Sequence, residues 1–369
     1  LTNNRTDNHS DRIQFMYPEA PTMYAGSYTK THCALATSFK STGNGANGYA
    51  SETFMQFLDN IPVVAGRVEA RYQGLLYPQT GFMSGNVNAG HPFSPEVGGI
   101  STASPDVLIP AFIAAYSGTD ATSIYLTPFP SLRSLLPNWR VTYDGLLKVG
   151  NLQKRFKAIT LSHAYQCTYT VGSYSSYLNW IGVDGNLGFT QDELTGDPKP
   201  SYPWNISSVS ITEKFAPLFG VKVTLKNDLS VNAEYRRGRT ITLNTNAGQI
   251  VEASNSGLTV GLGYKIVDFN TILKLGGKGQ GVSHDLTLQA DFSLQENQAL
   301  IRRIETAYTQ ATSGTRTLGI NFSANYILSR RVTLAAFFDH QVNTPLISAS
   351  AYPTTNSSYG LTLNISLTR

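Results

Sequence analysis

Gly277, Gly279 and Gly281 alternate with Lys278 and Gln280, a spacing that would cradle a phosphate with backbone N–H groups if it opened a helix. No Ser or Thr follows the lysine, and the segment separates two strand-like patterns, so a hairpin loop fits better. The six histidines, His9, His32, His91, His163, His284 and His340, form no HExxH or similar array. Asp192, Glu193 and Asp197 offer carboxylates for a cation, but Gly196, Pro198 and Pro200 mark the segment as a solvated turn. Cys33 and Cys167 are too few for a disulfide framework and too far apart in sequence for a metal-ligand spacing. No local Ser-His-Asp or Cys-His signature is present. The sequence therefore predicts no catalytic, cofactor-binding or metal-binding residue, and no enzyme activity.

The elements that would position any such group have an unusual composition. Of 369 residues only 14% are charged and 41% are hydrophobic, while 20 Tyr, 17 Phe and 3 Trp supply apolar area that a disordered chain lacks. This balance suits strands with one greasy face and one uncharged polar face. The 28 basic and 24 acidic residues give +4, and no Lys/Arg run exceeds two, which argues against a nucleic-acid partner. The longest near-continuous apolar run, Val107 to Tyr116, is about half of a membrane-spanning helix.

After Pro137, alternation with a period of two dominates. Leu286, Leu288, Ala290, Phe292 and Leu294 alternate with Thr287, Gln289, Asp291 and Ser293. Leu318, Ile320, Phe322, Ala324 and Tyr326 alternate with Asn321, Ser323 and Asn325, and Tyr359, Leu361, Leu363 and Ile365 with Thr362 and Asn364. Side chains alternate across a strand, so each segment has two unlike faces. Several segments reach roughly nine residues, enough for a tilted strand to cross a bilayer. Tight connections are expected at Lys226–Asp228, Gln295–Gln298 and Ser329–Arg331, and a long one from Gln341 to Ser358. The strand at Val332–Phe338 puts Ala335 and Phe337 on the wrong face, which a plug or lumenal segment would cover. Trp139, Tyr143, Tyr264 and Tyr326 are candidates for interfacial girdles.

Residues 1–136 differ. Gly26 to Lys40 is expected as one strand, Thr42 to Tyr49 as a break, and Ser51 to Tyr72 as a helix interrupted by Pro62. Tyr77 to Ser104 has loop chemistry. The expected division is 1–136, barrel strand or strands plus a lumenal or capping insertion with short helices, and 137–369, C-terminal transmembrane strands.

Particular strings sharpen this. DVLIPAFIAAYSGTD (106–120), LPNWRVTYDGL (136–146), FKAITLSHAYQCTYTVGSY (156–174) and ITEKFAPLFGVKVTLKN (211–227) resemble the SprA/Sov family, the outer-membrane translocon of type IX secretion in Bacteroidota. So do EYRRGRTITL (234–243), VGLGYKI (260–266) and the stretches at 312–326 and 343–367, whereas residues 1–105 match more loosely. The resemblance implies a C-terminal fragment forming an arc of a barrel of about 36 strands. It implies a passive protein-conducting channel for folded cargo in the cell outer membrane, which in the family also supports gliding motility. The implied partners are a PorV-like outer-membrane barrel, a periplasmic plug protein and the secreted cargo proteins. The ending Leu367-Thr368-Arg369 departs from the terminal aromatic usual in outer-membrane barrels.

The fold class expected is thus all-β, an arc of a very large antiparallel transmembrane β-barrel with a mixed loop and helix insertion. Its lumen-facing wall would comprise Thr287, Gln289, Asp291, Asn321, Ser323, Asn325, Thr362 and Asn364. Its lipid-facing wall would comprise Leu286, Leu288, Phe292, Ile320, Phe322, Leu361, Leu363 and Ile365. A self-contained importer or porin, and a secreted adhesin with a second covering sheet, are the rival readings.

Overall fold

The computed structural model describes residues 3–10, 23–130, 138–192, 194–267, 269, 285–329, 332–347 and 352–366. The strands are β1 (Asn3–Ser10), β2 (Met23–Thr31), β3 (Trp139–Tyr143), β4 (Phe156–Ser176), β5 (Ile181–Asp184), β6 (Leu187–Gln191), β7 (Pro198–Ser201), β8 (Trp204–Leu225), β9 (Leu229–Asn244), β10 (Gln249–Ile266), β11 (Leu286–Arg303), β12 (Thr309–Ser329), β13 (Val332–Pro345) and β14 (Thr354–Ile365). The helices are α1 (Glu52–Ala70), α2 (Pro95–Gly98) and α3 (Pro105–Ser117).

One antiparallel sheet carries 11 strands in the order β1-β2-β4-β8-β9-β10-β11-β12-β13-β14, with β3 also on β4. Two strands share the flank of β4: β2 pairs Thr168 to Ser175, and β3 pairs Leu161 to Tyr165. Among the described residues the sheet is not closed, because β14 pairs only with β13 at one side and β1 and β3 end the other. Strands such as β8, with 22 residues, are several times longer than a soluble strand needs to be.

Above one half of the sheet lies a helical layer. α3 is buried on every side, which is what an all-apolar helix requires. It sits among Phe54, Phe57, Ile61 and Val64 of α1 and Ile211, Ile241, Leu243 and Ile250 of the sheet. Among the described residues no helix is long and apolar enough to cross a membrane. A small sheet, β5-β6-β7, adds Phe189 to an aromatic cluster with Tyr72, Tyr77 and Phe93.

Several local expectations change. Gln295–Gln298 is no turn but the middle of β11, where every residue stays in register with β10. The local polarity arises because the strand leaves an apolar zone there, and Glu296 accepts from Arg316 of β12. α1 runs through Pro62 without a break. Buried Phe57, Ile61 and Val64 on both sides hold the helix across the missing hydrogen bond. The strand expected from Gly26 to Lys40 is β2, which stops at Thr31, and Leu35–Thr37 forms a 3-10 turn beyond it. The connection expected from Gln341 to Ser358 shrinks, since β13 continues to Pro345 and β14 begins at Thr354. The Lys226–Asp228 turn is present, with Asp228 at positive φ. Gly277–Gly281, His284, Glu193, Pro137, Arg330–Arg331 and Leu367–Arg369 lie outside the described residues.

Candidate membrane-facing surface and pore wall

The register of β9 to β14 turns separate alternating strands into two continuous faces. On one face, Leu286, Leu288 and Phe292 stand opposite Tyr326, Ala324 and Ile320, and Phe322 stands between Ala290 and Phe338. Leu361, Leu363 and Ile365 stand opposite Ala336, Leu334 and Val332. Leu258, Val260, Leu262 and Tyr264 of β10 extend the same face, followed by Tyr235, Ala233, Val231 and Leu229 of β9. From Leu294 to Leu286 this belt runs about 27 Å along the strand, or about 20 Å in height at the roughly 40° tilt of a barrel strand. An apolar band on a membrane barrel is roughly 25 Å. Most of it is bare, with Phe322 44% exposed and Leu361 76%, although Phe269 packs on Tyr326 at its β12 end.

The opposite face carries the polar set. Thr287, Gln289 and Asp291 stand opposite Asn325, Ser323 and Asn321, and Thr362 and Asn364 lie opposite Ala335 and Thr333. Gln289 Nε2 donates to Asp291 Oδ2 at 2.6 Å. Glycines keep this face flat: a Cβ on Gly261 would lie 2.0 Å from Asn232 Oδ1 and 2.6 Å from Asp291 Oδ1. The two predicted sets thus fall on opposite faces of the sheet. Phe337 does fall on the polar face, but its ring lies over Gly360 of the neighbouring strand, within 2.8 Å of where a Cβ would be. The Phe337 ring thereby covers the bare glycine backbone of the neighbouring strand. Of the aromatic candidates, Tyr143 and Tyr264 are exposed on the belt face and Trp139 stacks on Tyr165 at 4.6 Å. Tyr326 is buried, its hydroxyl donating to the Phe269 carbonyl at 3.1 Å.

Sequence reasoning missed two buried ion pairs that fasten the helical layer. Arg239 of β9 donates to Glu213 of β8 at 2.8 Å, and its other nitrogens reach the carbonyls of Thr37 and Ala34. Tyr165 also donates to Glu213 at 2.7 Å. Arg302 of β11 donates to Glu252 of β10 at 3.0 Å and to the carbonyls of Tyr49 and Thr42. No local signal marks these four residues, because β9 alone carries Glu234, Arg236 and Arg237 besides Arg239.

The weighed chemical candidates do not converge on one site among the described residues, although Cys33 and Cys167 are near neighbours and the His32 backbone N–H donates to the Cys167 carbonyl at 2.9 Å. His32 contacts the Ser117 hydroxyl, His163 the Leu218 carbonyl and His340 the Ser357 hydroxyl. His9 is placed in β1 and His91 is exposed. Asp192 caps its own turn, accepting from the N–H groups of Leu194 and Thr195. Cys33 and Cys167 are free thiols. A cavity of about 530 Å³ beside Lys30, His32, Ile113 and Ile124 is mostly apolar. Burial, with Lys30 adding to it, pushes the His32 imidazole down to about 4, so it is neutral there at pH 7. Among the described residues no three His, Cys, Asp or Glu side chains converge as a metal site. Comparison with protein-family models and with curated proteins finds no match to this chain.

Proposed function

We propose that the chain is one arc of a large outer-membrane β-barrel whose polar face lines a conduit for folded proteins, as in the type IX translocon its sequence resembles. The observation that carries this reading is the largely bare apolar belt backed by a flat, small and polar opposite face, on strands β9 to β14 whose register is unbroken through the belt. An open sheet of this kind in a membrane requires further strands at β3 and β14, because lipid offers no partner for bare edges. A wall of many strands leaves an aqueous lumen, where a few-stranded barrel fills with side chains.

The work of such a wall is passive: shape and a polar lining let cargo through, and gating falls to partners. A PorV-like barrel, a periplasmic plug protein and folded cargo are the partners proposed, with the outer membrane of a Bacteroidota cell as the location. The open edges weigh against a self-contained porin or importer, and the bare belt weighs against an adhesin sandwich.

The test is affinity capture from detergent-solubilised outer membranes. Recovery of the chain in the membrane fraction with a second, PorV-like barrel is expected. A protein that is soluble and monodisperse without detergent would refute the membrane reading. A closed monomeric barrel with small-solute conductance would favour the porin.

A further inference from the structure

The helical layer and the apolar belt occupy the same face of the sheet. β10 keeps register with both neighbours from Gln249 to Tyr264, so Ile250, Glu252, Ser254, Ser256, Leu258 and Leu262 all project to one side. Ile250 and Glu252 are buried under the helices, while Leu258 and Leu262 belong to the bare belt. On the membrane reading, on which this inference rests, the helical layer therefore stands outside the wall, above the bilayer surface, and not in the lumen where the sequence suggested a lumenal or capping insertion.

Between helices and belt the sheet carries one polar row. Arg237 faces Ser256, which faces Glu296, which faces Arg316, one step above Tyr235, Leu258, Leu294 and Leu318. A groove of about 250 Å³ opens there, with Lys40, Arg237, Arg239, Glu252 and Glu296 around it. Three of these charges are already matched: Arg239 by Glu213, Glu252 by Arg302 and Glu296 by Arg316. The two left without a carboxylate partner among the described residues are both cations, Lys40 and Arg237. The Arg237 guanidinium lies 5.4 Å from the ring centre of Phe39, and Phe39 is 57% exposed at the rim of the belt. An exposed aromatic beside two cations at the edge of an apolar band is the arrangement of an interfacial anchor.

We propose that this groove binds the phosphate of an anionic lipid headgroup, with Lys40 and Arg237 as its donors and Phe39 in the acyl–headgroup boundary. The occupant follows from the charge count and from position. A phosphate carries the charge the groove lacks, and the belt immediately below would hold the acyl chains of the same molecule.

The experiment is native mass spectrometry of the detergent-solubilised protein, captured with whatever chains it assembles with, after titration with phosphatidylglycerol or phosphatidylcholine. Preferential retention of phosphatidylglycerol is expected, weakened about tenfold in Lys40→Ala/Arg237→Ala, as for loss of a charge-assisted contact. Unchanged thermal unfolding of the variant shows that the fold survives. Equal retention by variant and parent, or no preference for the anionic lipid, overturns the proposal. So does displacement by millimolar inorganic phosphate with no effect of the acyl chains, since the site would then take a free anion. Failure of the membrane reading is seen separately, as absence of a bound detergent micelle in light scattering.

Discussion

Arg302 donates to Glu252 across two adjacent strands at 3.0 Å, and neither side chain is more than 3% exposed. The guanidinium spends its other donors on the carbonyls of Tyr49 and Thr42, so one cation joins sheet, loop and helical layer. Its plane also lies 5.6 Å from the Phe54 ring centre at the start of α1.

Removing one partner of such a pair leaves an uncompensated buried charge. Glu252→Leu should destabilise the protein by about 3–5 kcal/mol, and adding Arg302→Met should recover part of that loss. Denaturant unfolding in detergent checks the order. A double variant less stable than Glu252→Leu alone would sink the argument.

The two faces of the sheet should respond oppositely to charge. Phe322→Arg places a cation in the middle of the belt and should cost about 2–4 kcal/mol in a bilayer, while Asn321→Arg on the polar face should cost under about 1 kcal/mol. Folding yield into lipid vesicles reads the difference. Equal yields would remove the basis for calling one face lipid-facing.

Phe337 and Gly360 make a smaller, local test. Phe337→Ala uncovers the glycine backbone in the outermost strand and should destabilise the β13–β14 pair by about 1 kcal/mol. Hydrogen exchange in residues 354–365 should quicken while exchange in β10 stays unchanged. Protection that is unaltered in β14 would show that the ring does no covering.

Asp106, in the helical layer, carries a pH prediction. Burial pushes its carboxyl up to about 7, opposed by the Tyr202 N–H and the Ser104 hydroxyl. In the unfolded chain an Asp titrates near 3.9, so between roughly pH 4 and 7 the folded state holds the extra proton. Stability therefore falls as pH rises through that window. Asp106→Asn can still accept from Tyr202, and should be the more stable form at pH 8, by up to about 4 kcal/mol, with a smaller advantage at pH 5. Thermal unfolding of both forms at the two pH values decides, and an identical difference at both would refute the account.

Much of the sheet was legible because side-chain direction in a strand is a local property. The runs at Leu286, Leu318 and Tyr359 alternate without reference to any neighbour, and the polar and apolar sets fall on opposite faces as the spacing required. The helix after Ser51 was legible for the same reason, from its own periodicity, whereas its passage through Pro62 depended on packing with α3.

What the sequence could not determine is which distant surfaces share a face. Gln295–Gln298 looks like a turn because polar residues succeed one another there, yet pairing with β10 and β12 keeps the chain extended. Glu213, Arg239, Glu252 and Arg302 look like surface charge, yet the segment from Ala34 to Tyr49 folds over them and takes up their hydrogen bonds. Above all, alternation separates two faces but does not say which face a helical layer will cover. Only the tertiary structure puts that layer on the belt side, because the apolar residues at the far end of the same strands, Ile211, Ile241 and Ile250, are the surface on which α1 and α3 can bury theirs.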